Sequence, residues 1–437
     1  MRGILAALVL CATASAQQIG YEGPAILSRG GGLAGRRGAE TVRFRAFGQV
    51  NGIYDTGITP VSVESDGTIP QVDAYGVQAL VGLYGYHNWR QSALGVDYRG
   101  DYRHYNQKTF FNGTDHALSL DYTNQLSRRV TFAVRPTVGT TSRAVGGFIT
   151  PLLADLAAPG IPAAELFDGR TNYGQGSASV IWQKSARLSF SAGGQGFLTR
   201  RRSAALIGMN GYAAVGDIAY RLSRHKTVSL NYSYNRFDFT NAYGSSDVHQ
   251  LSAGYAQRIG RYWELGLNAG VMRLENKGLQ RVAIDPVIAA LLGQTTTVIA
   301  FHRLNHFPYL QANLDREFRK SRIGVRYTQG VRPGNGFFLT SRTKNVSAYA
   351  GYTGIRRWNF SVSTTYQQWE ALMQNYGKFE TFGGGAGFSY RMTPIFHLYG
   401  RFDVRRADVS ISGFRRDASR ATLGIIATPG ELPVSIW

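Results

Sequence analysis

Arginine repeated at every second or fourth residue is the pattern in this sequence with the most chemical reach. Arg43 and Arg45, Arg99 and Arg103, and Arg401 and Arg405 are spaced this way, and Arg135 and Arg326 stand in similar alternating stretches. In an extended chain such spacing places the guanidinium groups on one face. Rows of guanidinium across water repel cations and offer several weak sites to carboxylate or phosphate groups. Asp97, Asp101, Asp121, Asp315 and Asp403 share the same faces. The competing use is therefore cross-strand ion pairing that only holds the strands together, at about 0.2–1 kcal/mol per pair. For any single arginine the pairing account is the simpler one, but it does not cover the surplus of arginine over aspartate.

Other reactive groups assemble less well. The eight histidines form no zinc-protease pattern. His302 and His306 are four apart, which in a strand is about 13 Å, too far for one metal ion. No Gly-x-Ser-x-Gly elbow occurs. Gly30, Gly32 and Gly35 match a dinucleotide fingerprint by spacing only, since no strand precedes them and no helix follows. Arg99-Gly100-Asp101 spells an adhesion tripeptide in mid-strand, where it cannot be presented. Neither an enzyme nor a cofactor or metal site is expected. No basic stripe sits on a soluble module, so nucleic acid is not an expected partner.

The element that must position the arginines is best seen at 92–105. Leu94, Val96, Tyr98, Gly100 and Tyr102 alternate with Gly95, Asp97, Arg99, Asp101 and Arg103. One face is aromatic and aliphatic and the other fully charged, which suits a strand with hydrocarbon outside and water inside. Residues 396–405 repeat the design: Phe396, Leu398, Gly400, Phe402 and Val404 alternate with His397, Tyr399, Arg401, Asp403 and Arg405. No stretch offers the roughly 18 continuous apolar residues of a membrane-spanning helix.

Residues 1–16 read as a secretory signal, with Arg2, an apolar run and Ala14-Ser15-Ala16 as the cleavage site. Cleavage there removes Cys11, the one cysteine, and excludes disulfides and thiolate sites. Residues 17–40 are Gly-rich and aperiodic, a flexible tail. From 41 to 428, strands alternate with short basic turns near 88–91, 126–129, 184–187, 223–226, 259–261, 319–322, 356–357 and 392–394. These recur at about 37 residues, the length of a loop and two spanning strands, with about 20 extra residues in two intervals. The rhythm predicts an all-β, antiparallel, up-and-down transmembrane barrel of about 18 strands. Strand starts are expected at 41, 72, 92, 115, 129, 174, 187, 210, 226, 247, 262, 305, 321, 343, 357, 380, 394 and 418. The segment 422–426 serves as the closing strand, and 429–437 runs on as a tail. Trp89, Trp182, Trp263 and Trp358 lie at the tight turns, as an interfacial belt requires.

Alternation, turn rhythm, belt and signal together resemble bacterial outer-membrane β-barrels over 41–428. The resemblance implies an outer-membrane location, contact with its lipid, passage through the barrel-assembly machinery, and short turns and both tails on the periplasmic side. Eighteen strands with an arginine-bearing bore also resemble alginate-export-type channels and specific porins for small anions.

The two long loops, near 142–173 and 275–301, each carry a capping residue, a proline and about two apolar turns of helix. The first contains Pro151, Leu152 and Leu156, and the second Pro286, Ile288 and Leu292. Either these helices fold inward and narrow the bore, as the third loop of general porins does, or they pack as lids on the rim. The formal net charge of +21 calls for anionic surroundings. Arg128, Arg129, Arg187, Arg224, Arg261, Lys320, Arg356 and Arg357 on the turns form a periplasmic ring. It faces either lipid headgroups or an anionic polymer. The leading expectation is a passive channel for small or polymeric anions, extending to export of an acidic exopolysaccharide. The alternative is a non-conducting scaffold barrel that docks a periplasmic partner. The sequence leaves the oligomeric state open.

Overall fold

The computed structural model describes residues 44–58, 71–106, 111–142, 170–202, 207–240, 244–283, 294–333, 339–372, 377–409 and 414–428. Among them, eighteen antiparallel strands form one sheet that closes on itself. The first six are β1 (Arg45–Ile58), β2 (Val72–Asn88), β3 (Ser92–Tyr105), β4 (Gly113–Gln125), β5 (Val130–Thr141) and β6 (Thr171–Gln183). Next come β7 (Leu188–Arg201), β8 (Met209–Arg221), β9 (Lys226–Phe239), β10 (Gly244–Ile259), β11 (Trp263–Ala283) and β12 (Thr296–Glu317). The last are β13 (Ser321–Pro333), β14 (Thr340–Tyr352), β15 (Trp358–Ala371), β16 (Lys378–Arg391), β17 (Phe396–Val409) and β18 (Phe414–Ala427). Each pairs with its sequence neighbours, and β1 pairs with β18. A strand of 14 residues tilted by about 40° spans roughly 35 Å, more than the apolar band it must cross.

The period-two pattern sorts side chains as expected. On β9, Asn231, Ser233 and Asn235 are buried on the inner face while Leu230 and Tyr232 stand exposed on the outer one. On β1, Gln49 and Asn51 point in and Val50 and Tyr54 out. The inner amides link up, Gln49 donating to Asn51 at 2.8 Å and Asn51 to Gln78 at 3.3 Å. The exposed outer face is aliphatic and aromatic on every side, including Val81, Val138, Ile218, Val325, Phe402 and Ile425.

The short turns are tight for a local reason. Ser127 Oγ accepts from the backbone N–H groups of Arg129 and Val130, and Ser185 Oγ from those of Arg187 and Leu188. Thr393 Oγ1 does the same for Ile395 and Phe396. A hydroxyl two or three residues before the next strand thus satisfies the orphan donors of the reversal. Gly260 takes a positive φ of 63° in the β10–β11 turn, a conformation open to glycine without strain.

One expectation needs correction. The loop placed at 275–301 is mostly strand: β11 continues to Ala283, and β12 begins at Thr296, not 305. This two-stranded ribbon carries Arg273, Glu275, Lys277 and His302, and its polar outer surface hides the strand period. Pro151, Leu152, Leu156, Pro286, Ile288 and Leu292, with the helices they define, lie outside the described residues. So do Arg43, the proposed signal and both tails.

Closure is reinforced from within. Asp55 on β1 lies directly opposite Arg420 on β18. Arg420 donates from Nε and Nη2 to the two Asp55 oxygens at 2.5 and 3.0 Å. Tyr105 on β3 donates to Asp55 at 2.6 Å. All three are almost fully buried. Removing one partner of such a pair leaves an uncompensated buried charge, at a cost of about 3–5 kcal/mol. Arg420→Leu should therefore lower the denaturant midpoint of the folded barrel and weaken its resistance to unfolding in cold SDS. The double change Asp55→Leu with Arg420→Leu should recover much of that loss. An Arg420→Leu barrel as resistant as the parent would show that the pair does not secure the closure.

Candidate functional site

The bore is the candidate site, and its outer half has two unlike sides. One side is ionic. Arg103 on β3 bridges two carboxylates that face each other across β3 and β4, at 3.4 Å to Asp101 and 2.7 Å to Asp115. Arg103 also donates to the carbonyl of Ser142 at 3.2 Å, and Asp115 accepts from the Ser142 N–H at 2.6 Å. Opposed carboxylates at this burial repel unless a cation lies between them, so Arg103 is fixed by its partners. With Asp55, Tyr105 and Arg420 this forms a network over β18, β1, β3 and β4.

The other side is apolar. Phe197, Met209, Phe237, Phe239, Val248, Met272 and Leu274 project inward from β7 to β11 and pack into one cluster with Val331 and Leu339. The last two belong to the β13–β14 hairpin, which has left the wall. β12 pairs with β13 only over 310–317; above that, 296–309 pairs with β11 alone. The freed end of the hairpin turns into the bore, where the Val331 N–H meets Met272 Sδ at 3.4 Å. Thr340 Oγ1 reaches Ser246 Oγ on β10 at 2.5 Å, and Ser246 donates to Asn276 Oδ1 at 2.7 Å. On the same face of the hairpin, the Arg342 guanidinium sits 5.9 Å from the Phe307 ring of β12. A strand hairpin thus occupies part of the outer bore.

The expected arginines divide into two groups. Arg99 is buried against Asp97, and Arg401 is held by Asp403 at 2.7 Å and donates to Ser363 at 3.3 Å. With Arg103, these follow the ion-pairing account. Arg45, Arg135 and Arg326 occupy inner positions of β1, β5 and β13 and make no ion pair among the described residues. Arg405 is on the inner face of β17, opposite Gly383 and Ala418.

Arg416 and Arg420 were missed by sequence reasoning. The turn rhythm places the start of the last strand at 418, and the contiguous pair Ile425-Ile426 blurs its alternation. Ile426 in fact faces inward and packs with Phe47, Leu80 and Tyr399, while Ile425 faces out. Counting inward positions back from Ile426 reaches both arginines.

The four expected belt residues lie at the short-turn end. Trp182 stacks on Phe190 with centroids 5.4 Å apart. Trp358 lies 4.7 Å from Tyr390, and Trp89 sits edge-on to His87 at 4.5 Å. Trp263 faces Arg316 across β11 and β12, the guanidinium 4.7 Å from its ring.

No protein-family model matches the chain, and no curated protein does. Among solved structures it is similar to Pseudomonas aeruginosa OpdQ, at 11% identity and a TM-score of 0.40, covering 88% of this chain and 97% of that one. A BenF-like porin from Pseudomonas fluorescens Pf-5 gives 10% identity and 0.42, covering 88% and 98%. Pseudomonas aeruginosa OccK2 (OpdF) gives 10% and 0.43, again covering 88% and 98%. These are likenesses of barrel architecture, at identities that transfer no site.

The infolded hairpin is open to a direct check. The 2.5 Å between Ser246 Oγ and Thr340 Oγ1 is within reach of a disulfide, whose sulfurs lie about 2.05 Å apart. Oxidation of Ser246→Cys with Thr340→Cys should join β10 to β14 and shift the denatured band on a non-reducing gel. No crosslink in the folded double variant would place the hairpin elsewhere.

Proposed function

We propose that the protein is a passive solute channel of the bacterial outer membrane, with a preference for anions. The observation that carries this reading is a closed sheet with an apolar outer skin and an inner wall of serine, asparagine, glutamine and arginine. A sheet of this kind suits hydrocarbon outside and water inside, and closure leaves no edge strand facing lipid. Arg45, Arg135 and Arg326 bring cationic charge to the inner face without a carboxylate partner among the described residues. In a narrow aqueous path such charges raise the local concentration of anions yet release them readily.

Arg103 and Arg420 in the outer half are neutralised where they stand, so the preference is assigned to Arg45, Arg135 and Arg326. Small carboxylates and phosphates fit this best. Passage of an acidic polysaccharide is the extended form of the same reading, drawing on the same lower-wall arginines. The scaffold alternative draws specific support from the apolar seal that the β13–β14 hairpin makes against β7 to β11.

Planar-bilayer recording separates these readings. A salt gradient should give a reversal potential of anion-preferring sign. Combining Arg45→Gln, Arg135→Gln and Arg326→Gln should reduce the anion-to-cation permeability ratio several-fold at low salt, with little change in barrel stability. Cation preference in the parent protein overturns the anion reading, and absence of current overturns the channel.

A further inference from the structure

The periplasmic rim concentrates positive charge in a way that the bore does not use. Every short turn among the described residues has an exposed arginine or lysine at or beside it, and none of the turns carries an aspartate or glutamate. Arg128-Arg129, Arg261, Lys320 and Arg356-Arg357 are representative, all exposed. They lie within a few residues of the outward tryptophans, at the level where hydrocarbon gives way to headgroups.

Arg316 adds a built position to this ring. It is on the outer face of β12, the neighbour of exposed Leu314 on the same face. Its guanidinium carbon lies 4.7 Å from the Trp263 ring and 4.0 Å from the Phe318 ring. Two aromatic rings hold the cation at the outer surface near the rim. Its Nε is shielded from water and makes no hydrogen bond among the described residues. A half-exposed guanidinium held between two rings on the lipid-facing side suits a phosphate oxygen.

We propose that the periplasmic rim binds the phosphate groups of anionic phospholipids in the leaflet it faces, with Arg316 as the most specific contact. The inference rests on the membrane orientation in the channel reading, but not on conduction. An acidic polymer bound for the bore is less suited, because Arg316 and its aromatic clamp face outward.

The test is native mass spectrometry of the full chain released from micelles doped with phosphatidylglycerol or with phosphatidylcholine. The parent protein should retain phosphatidylglycerol preferentially. Each charge removed should weaken retention roughly five-fold, the effect of about 1 kcal/mol per basic residue near a charged lipid surface. Arg316→Gln should show this loss with unchanged single-channel conductance. Arg316→Lys, which keeps the charge but not the planar stack, should fall between. Arg356→Gln with Arg357→Gln tests the ring away from the clamp, and resistance to cold SDS confirms that each variant is folded. Equal retention of the two lipids by the parent protein overturns the proposal. So does unchanged retention in both variants. Capture of soluble polygalacturonate in place of lipid also overturns it, assigning the ring to a polymer.

Discussion

A backbone N–H or C=O left without a partner in hydrocarbon costs several kcal/mol, and a strand satisfies none of these groups by itself and only about half with one neighbour. That constraint governs this molecule more than any side-chain contact. A sheet can meet it only by joining its last strand to its first, which here means β18 to β1 over the register from Gly48↔Ala427 to Thr56↔Ser419. The even number of strands, the placement of both ends at one rim and the tilt that gives each strand its length follow from that single seam. Asp55, Arg420 and Tyr105 lie on it and tie it to β3 from inside.

The charge of the protein divides by height. On the β18–β1–β3–β4 side of the outer half, Arg103 and Arg420 are each held by buried aspartates, since an unanswered guanidinium there would be costly. In the lower wall, water is closer and arginine can stand alone. At the rim, cations are crowded, where solvent and headgroups screen their mutual repulsion. The same residue type therefore serves three ends, distinguished by what surrounds it and not by its spacing in the chain.

This explains what could be read from the sequence alone. Strands such as β3 and β17 declare themselves because both faces are committed, and the turns because short segments, most of them basic, recur about every 37 residues. Alternation alone sets Arg99 and Arg103 on one face of β3, and Arg401 and Arg405 on one face of β17. What alternation cannot show is the partner: Asp115 is twelve residues from Arg103 and Asp55 is 365 from Arg420, and only the sheet register brings them together. The infolded hairpin was equally hidden. Val331 and Leu339 meet residues of β7 to β11 that are far away in the chain, and the departure of β12 from β13 has no local signature. Where an inner position was apolar, as at Ile426, the strand period itself was obscured.

That departure also says how deeply the barrel can sit. Above Leu310, one edge of β12 has no strand beside it among the described residues, and hydrocarbon cannot touch such an edge. From Arg316, beside the belt residue Trp263, up to Leu310 the tilted chain rises only about 15–20 Å, short of the roughly 25 Å that an outer-membrane band usually occupies. The lipid must therefore be compressed beside β12 and β13 relative to the rest of the circumference. A wall of uneven height gives the protein a thin flank, and a thin flank is where neighbouring molecules that also prefer a shallow bilayer would gather.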